Sequence, residues 1–271
     1  MKPPMINQQI IQSVLNRLGD NTQLNLHLFE SIDSTNRFLK ELPRSLPSTL
    51  SCCVAETQTA GRGRFGRHWH SPFGEHIYCS FRWPYQGKLS ALSGLSLVVS
   101  LAILAMLNSL SIADDIQIKW PNDLLWHGKK LCGTLIEMVG EHNQRLDVII
   151  GIGLNVNSVI PPSPGLVNPW CSLIDITGKK LDRNELIGRL INQLQQHLAQ
   201  FITDGFAAFM ARWQRVDYLY DQMITVLHHT DIIEGRAKGV NAVGQLRLVD
   251  KRGAIQELSS GDTSLSAAIA R

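Results

Sequence analysis

Three arginines fall within the seven residues Gly61-Arg62-Gly63-Arg64-Phe65-Gly66-Arg67, with no acidic side chain beside them. Guanidinium forks match phosphate oxygens, and glycines let a backbone close on a ligand, so the segment reads as an anion-binding loop. Such crowding of like charge predicts a loop that orders when an anion neutralises it. The segment also fits G-x-G-x-x-G, but a dinucleotide fingerprint must open an apolar helix. His68-Trp69-His70-Ser71-Pro72-Phe73-Gly74 is no such helix, and Arg67-His68 stands where a P-loop needs Lys-Ser or Lys-Thr. Trp69, just past the arginines, is placed either to stack on a purine or to fill core.

Lys119-Trp120-Pro121-Asn122-Asp123 ends an apolar run in a turn that carries an amide and a carboxylate. Strand ends are where α/β sheets build sites. A carboxylate there suits a magnesium ion or an arginine partner, and a plain turn with local caps is the bland reading. Lys129-Lys130-Leu131-Cys132-Gly133 opens the next strand, and Gly151-Ile-Gly-Leu-Asn155-Val-Asn157 ends another with two amides that need partners. His68-x-His70 and His228-His229 have no matching acids or cysteines, so no metal set is expected. No G-x-S-x-G elbow or other nucleophile stands out, which favours chemistry whose nucleophile comes from the substrate.

These residues need a scaffold, and the periodicity supplies one. Residues 7–18 have helical spacing and stop at Gly19-Asp20. Residues 24–30, 50–56, 76–83 and 116–120 read as strands, and 129–157 as a hairpin turning around Glu141–Gln144. Asp33 and Ser34 are placed to cap a helix from Thr35, and Asp182-x-x-Glu185 is a capping-box-like start to a long amphipathic helix that breaks near Gly205. Residues 159–170 form a proline-rich loop. Beyond about residue 220, short strands alternate with glycine turns, which predicts a small β-barrel. The expected division is 1–220 and 221–271.

The chain has 271 residues, of which 44% are hydrophobic and 18% charged, so a folded globular protein is expected rather than a disordered one. Its 26 basic and 23 acidic residues leave a net charge of +3, too little for a nucleic-acid-binding tail. Five cysteines, two of them adjacent, form no disulfide framework and no C-x-x-C pair, which predicts reduced buried thiols and a cytoplasmic protein. Leu89 to Ala113 is uncharged and long enough to span a bilayer. A single span would separate the two richest polar motifs, so a buried core helix and no membrane contact are expected.

In order along the chain, Ser34-Thr-Asn36, Gln58-Thr-Ala-Gly-Arg-Gly-Arg-Phe-Gly-Arg-His-Trp69, Ser71-Pro-Phe-Gly74, Lys119-Trp-Pro-Asn-Asp123, Lys130-Leu-Cys-Gly133 and Gly153-Leu-Asn155 resemble the biotin–protein ligases. The C-terminal strands, ending Gly261-Asp-Thr-Ser-Leu265, are similar to that family's small SH3-like domain. The resemblance implies an α/β (α+β) fold: a class II tRNA-synthetase-like catalytic domain with a mixed sheet flanked by helices, plus a C-terminal SH3-like β-barrel. It implies two steps. Biotin is activated by ATP to biotinyl-5′-AMP, then passed to a lysine of a biotin carboxyl carrier domain. It implies catalytic roles for Lys130, Arg62 and Arg64. It places biotin against Ser34, Thr35, Asn36, Gln58, Gly61, Arg62, Gly63, Arg64, Lys130 and Gly133. It places the nucleotide against Arg64, Arg67, Trp69, Lys119, Asn122, Asp123 and Asn155, with Asp123 toward Mg2+.

The chain departs from the family in places. Only 33 residues precede Ser34, too few for the winged-helix domain of many relatives, so a monofunctional ligase without specific DNA binding is expected. His76 stands where relatives often have Asn, and Cys132 replaces a usual Ala. The resemblance leaves monomer and homodimer both open. Rival readings are a lipoate or octanoate protein ligase, which should lack the Gly-Arg loop and the Lys-Trp-Pro-Asn-Asp turn, a ligand-sensing repressor, and a nicotinamide-dependent oxidoreductase.

Overall fold

The computed structural model describes residues 5–20, 24–43, 50–112, 114–142, 145–158, 169–228 and 230–265. The proline-rich segment therefore lies outside the described residues except for Pro169 and Trp170, as do His229 and residues 143–144 of the expected turn.

Seven strands form one mixed sheet: β1 (Asn25–Ile32), β2 (Ser51–Gln58), β3 (Ile77–Gln86), β4 (Ile116–Lys119), β5 (Asp123–Trp126), β6 (Lys129–His142) and β7 (Arg145–Leu154). Their order across the sheet is β1-β2-β3-β7-β6-β5-β4. Only β1 and β2 run parallel, because the chain crosses between them through a helix; every other pair is antiparallel. Among the described residues six α-helices accompany the sheet: α1 (Gln8–Arg17), α2 (Thr35–Glu41), α3 (Leu95–Asn108), α4 (Leu173–Thr177), α5 (Arg183–Asp204) and α6 (Met210–Gln214).

The alternation of each strand sends its side chains to two unequal cores. One face carries Val54, Cys79, Phe81, Ile150, Ile152 and Leu154 into the main core with α3 and α5. The other carries Cys53 and Ile149 against Leu39 of α2 in a smaller core. All five cysteines are free and buried. Leu89–Asn108 is long and apolar enough to cross a membrane. It is a 3-10 turn (Leu89–Leu92) followed by α3, and eleven α3 residues are buried inside the protein. Gly94 joins the two with a φ of 82°, and a Cβ there would meet the Phe206 ring at 2.8 Å.

Two local expectations need correction. Asp123 does not end the Lys-Trp-Pro-Asn-Asp turn as a loop residue; it opens β5, which hairpins back on β4 with Lys119 opposite Asp123. Four residues are too few to show an alternation. At α5, Asp182 takes the Asn184 amide, but Glu185 turns away to Arg17 and Arg189 instead of closing a capping box. Ion pairs outcompete the weaker return bond to the cap. Helix α4 had no periodic signature at five residues.

Residues after 220 form a second, antiparallel sheet: β8 (Met223–His228), β9 (Asp231–Val240), β10 (Leu246–Val249), β11 (Ile255–Leu258) and β12 (Asp262–Leu265). Its order is β11-β10-β9-β8-β12. Trp120 is the pin between the two sheets. Its ring is buried, its Nε1–H donates to the Gly244 carbonyl at 3.1 Å, and its carbonyl accepts from Thr263 Oγ1 at 2.9 Å.

Candidate active site

Helix α2 meets the sheet at a polar well. Ser34 caps the helix by accepting from the Arg37 amide, so the first residues of α2 are held at the sheet surface. The Thr35 amide donates to Gln58 Oε1 at 2.9 Å, and Gln58 Nε2 donates to Ser71 Oγ at 3.3 Å. Ser80 Oγ lies 2.7 Å from Thr35 Oγ1 and 2.5 Å from Asn36 Oδ1. The far end of α2 is fixed by Arg82, which donates to the Leu42 carbonyl and pairs with Asp147 at 2.7 Å.

Beside the well the sheet has a floor without side chains. Gly133 faces Gly153 across β6 and β7, with Gly151 two residues on. The Trp69 indole lies on this floor. A Cβ on Gly153 would meet its Cζ2 at 2.6 Å and its Nε1 at 2.8 Å. Trp69 Nε1–H is buried with no partner among the described residues. Asn36 covers Gly151 in the same way. These glycines are required by the close approach of an amide and an indole, which no Cβ would allow.

The Gly-Arg loop is a closed hairpin. The Trp69 amide donates to the Gly61 carbonyl at 2.9 Å, Arg62 bridges His68, and the Gly63 amide donates to the Arg67 carbonyl at 2.7 Å. Phe65 sits at the tip with a φ of 56°. The three arginines differ in what holds them. Arg64 Nη1 donates to Asn122 Oδ1 and Nη2 to the Gly261 carbonyl, each at 3.0 Å. Burial lowers its pKa from the ordinary guanidinium value. Arg67 pairs with Asp262 of β12. Arg62 is exposed and makes no side-chain hydrogen bond or ion pair among the described residues.

Lys130 follows from an irregularity in the β5–β6 register between Leu124 and Leu125. Its Nζ lies 2.8 Å from Asp123 Oδ1 and 5.5 Å from the Trp69 ring centre. Lys119, opposite Asp123, has its pKa lowered by burial, and the charges of Asp123 and Asp262 act against that. His76 is buried, accepts from the Val156 amide at 3.0 Å, and has its pKa pushed down to about 4, chiefly by burial.

All this surrounds one cavity of about 480 Å³. Of the residues expected at the site, Ser34, Thr35, Asn36, Gln58, Arg62, Gly63, Arg64, Arg67, Trp69, Asn122, Asp123, Lys130, Gly133 and Asn155 line it. A second cavity, of about 580 Å³, is lined by none of them.

Several expectations change in detail. Gly61 does not line the cavity; it is buried, with space for no side chain because the Trp69 carbonyl and Ser71 Oγ lie against it. Lys119 does not line it either. Asn122 does, but its amide spans Arg64 and the Thr134 carbonyl, so it positions an arginine. Asn155 Nδ2 is spent on the Lys130 and Cys171 carbonyls. Asp123, the expected magnesium ligand, faces the Lys130 ammonium. No group of three His, Cys, Asp or Glu converges to hold a metal among the described residues. Asp123 is turned to a cation here, and a magnesium ion at this place would take its remaining ligands from substrate phosphates and water. The sequence reading missed Ser80, Trp170 and Asp262 on the cavity wall. The first two carry no motif, and Asp262 arrives from the far end of the chain.

A polar well, a bare glycine floor and a cationic hairpin at one cavity define a protein that holds a small polar molecule beside an anionic one. The model of the biotin/lipoate A/B protein ligase family matches residues 28–155. The chain is 35% identical over 237 residues to the bifunctional ligase/repressor BirA of Escherichia coli, covering 88% of this chain and 73% of that protein. It is 35% identical over 186 residues to the biotin–[acetyl-CoA-carboxylase] ligase of Paracoccus denitrificans, covering 67% of this chain and 76% of that one. A solved structure, the biotin protein ligase from Aquifex aeolicus in complex with biotin and ATP, matches with a TM-score of 0.75 at 30% identity, over 89% of this chain and 98% of that chain. This chain belongs to the biotin/lipoate A/B protein ligase family.

Proposed function

We propose that the chain is an ATP-dependent biotin–protein ligase. The observation that carries this is the pairing, in one cavity, of neutral donors and acceptors at Thr35, Gln58 and Ser80 with cations at Arg62, Arg64, Arg67 and Lys130. A ureido ring needs the first set. The second suits a carboxylate that must approach a phosphate.

In the first step a biotin carboxylate oxygen attacks the α-phosphorus of ATP, forming the mixed anhydride biotinyl-5′-AMP and releasing pyrophosphate. Two anions must meet, so fixed positive charge lowers the barrier most where it needs no reorganisation. Lys130 and Arg62 supply it at the reacting groups, with Arg64 held in place by Asn122. In the second step the neutral amine of a carrier-domain lysine attacks the acyl carbon. AMP leaves, an amide forms and the amine loses a proton. Both nucleophiles belong to substrates, in keeping with the lack of an enzyme nucleophile motif. Trp69 offers an indole face for the adenine ring. Magnesium arrives as the counter-ion of the ATP phosphates and belongs to the substrate.

The test is intact-mass measurement of a biotin carboxyl carrier domain mixed with the protein and MgATP, with biotin in one tube and lipoate in another. A biotin-sized gain that needs both ATP and biotin is expected. A gain with lipoate alone would overturn the substrate.

A further inference from the structure

Asn36 sits at a fork in the hydrogen bonds beneath the polar well. Its Nδ2 lies 2.8 Å from Glu137 Oε2, and its Oδ1 lies 2.5 Å from Ser80 Oγ. A side-chain amide can be turned over, exchanging donor and acceptor. Here two acceptors on β6 decide, the Leu135 carbonyl at 3.4 Å weakly and the closer Glu137 carboxylate strongly. An ionised carboxylate only accepts, so Glu137 draws the Nδ2 end to itself and leaves Oδ1 facing Ser80. Glu137 is held ionised: burial alone would raise its pKa, but hydrogen bonds from Lys40 and Asn36 and the charges of Lys40 and Arg62 bring it below the ordinary value.

The consequence runs along the chain of hydroxyls. Asn36 Oδ1 has no proton, so Ser80 spends its single hydroxyl proton there. Toward Thr35 Oγ1, 2.7 Å away, Ser80 then only accepts. The one proton of Thr35 stays inside the network, on Ser80 or on Gln58 Oε1 at 3.1 Å. What Thr35 offers the cavity is an acceptor.

We propose that Glu137 is a positioning residue for biotin: through Asn36 and Ser80 its charge sets the sense of this hydrogen-bond chain and commits the Thr35 hydroxyl to accepting a ureido N–H. Glu137 does not line the cavity and acts only through its neighbours. The inference rests on the ligase reading. With a neutral amide at 137, only the long bond to the Leu135 carbonyl at 3.4 Å still holds the Nδ2 end of Asn36, and the amide can turn over. Nδ2 then donates to Ser80 and Ser80 donates to Thr35, so the Thr35 proton loses Ser80 as an acceptor, keeps only Gln58 Oε1 inside the network, and can turn toward the ligand's own donors.

The experiment is biotin-dependent ATP–pyrophosphate exchange by the full chain, comparing wild type, Glu137→Gln, Lys40→Met, Thr35→Val and the Thr35→Val/Glu137→Gln double variant. KM does not depend on the folded fraction, so partial unfolding moves only kcat. Glu137→Gln is expected to raise the KM for biotin about tenfold, the usual worth of one charge-linked hydrogen bond, and to leave the KM for ATP within about twofold. Lys40→Met, which removes the ion pair of 2.7 Å but keeps the carboxylate, is expected to leave both within about twofold. The double variant is expected to be no worse than Thr35→Val alone, because both act through one hydroxyl. Exchange in the wild type with an unchanged biotin KM in Glu137→Gln overturns the proposal alone. So do equal rises in both KM values, or additive losses in the double variant. Absence of exchange in the wild type overturns the ligase reading and this proposal with it.

Discussion

Among single residues, the three arginines of the loop look alike in sequence and differ in structure. Arg64 and Arg67 are engaged by Asn122, Gly261 and Asp262, whereas Arg62 makes no such bond among the described residues; Lys130, also on the cavity wall, is paired with Asp123. Lys130→Ala should therefore lower biotinyl-AMP formation about a hundredfold, the usual cost of one preorganised electrostatic group. Its melting temperature should move little, because the Lys130–Asp123 pair is partly solvated. Normal adenylation by that variant would remove Lys130 from the chemistry. His76 predicts a pH effect of definite sign. As pH falls below 6.5 the unfolded chain takes up a proton that the buried ring refuses until about pH 4. Stability is thus lost over that window, by about 3 kcal/mol. Asp217 opposes this: burial raises its carboxyl to about 6, so the folded state gains a proton first and is favoured as pH falls from 6 to 3.8. Comparing denaturation of wild type and His76→Asn from pH 7 to 4 isolates the histidine, and the variant should gain steadily on the wild type. A constant difference between the two would rule the effect out.

At the scale of elements, the site depends on where two antiparallel strands carry no side chain. Gly133 and Gly153 face each other because β6 and β7 are in register, and the indole of Trp69 fills the space that their missing side chains leave. Gly153→Ala puts a carbon within 2.6 Å of Cζ2 and 2.8 Å of Nε1, so the indole must lift. The expected result is a rise in the KM for ATP of roughly tenfold or more in pyrophosphate exchange, since small displacements of a positioning group are costly. An unchanged value would show that the nucleotide does not use this face. The polar motif Ser34-Thr35-Asn36 was legible in sequence as a helix start. Its partners Ser80 and Glu137 were not, because each lies on another strand and neither has a local pattern.

Across the whole molecule, the second sheet closes over the site through few contacts, and Trp120 is the largest buried side chain among them. Deleting a buried aromatic of this kind costs about 3–5 kcal/mol. Trp120→Ala should lower the melting temperature accordingly and speed amide exchange across residues 223–265 more than in β1–β3. Uniform exchange in both regions would mean that the pin is not what couples the sheets. Arg64 and Arg67 reach Gly261 and Asp262 across the same junction, so loosening it should also disturb the cationic loop.

The sequence by itself determined most of the elements and the residue types that gather at the site. Alternation and helical spacing, caps and glycines are local signals, and they were sufficient for α1, α2, β1 to β4, the β6–β7 hairpin and the long α5. Residue types in short motifs were sufficient to single out the Gly-Arg loop, Lys130 and the Ser34-Thr35-Asn36 cap, which line one cavity. Only the tertiary structure decided which of these side chains face the cavity and which are spent on one another. Asn122 and Asn155 read as ligand contacts; both line the cavity, and their amides also hold an arginine and backbone carbonyls. Asp123 read as a metal ligand and lies against Lys130. The reason is physical: a buried amide or carboxylate must find a partner, and the nearest one in space lies at a sequence distance that no local pattern records.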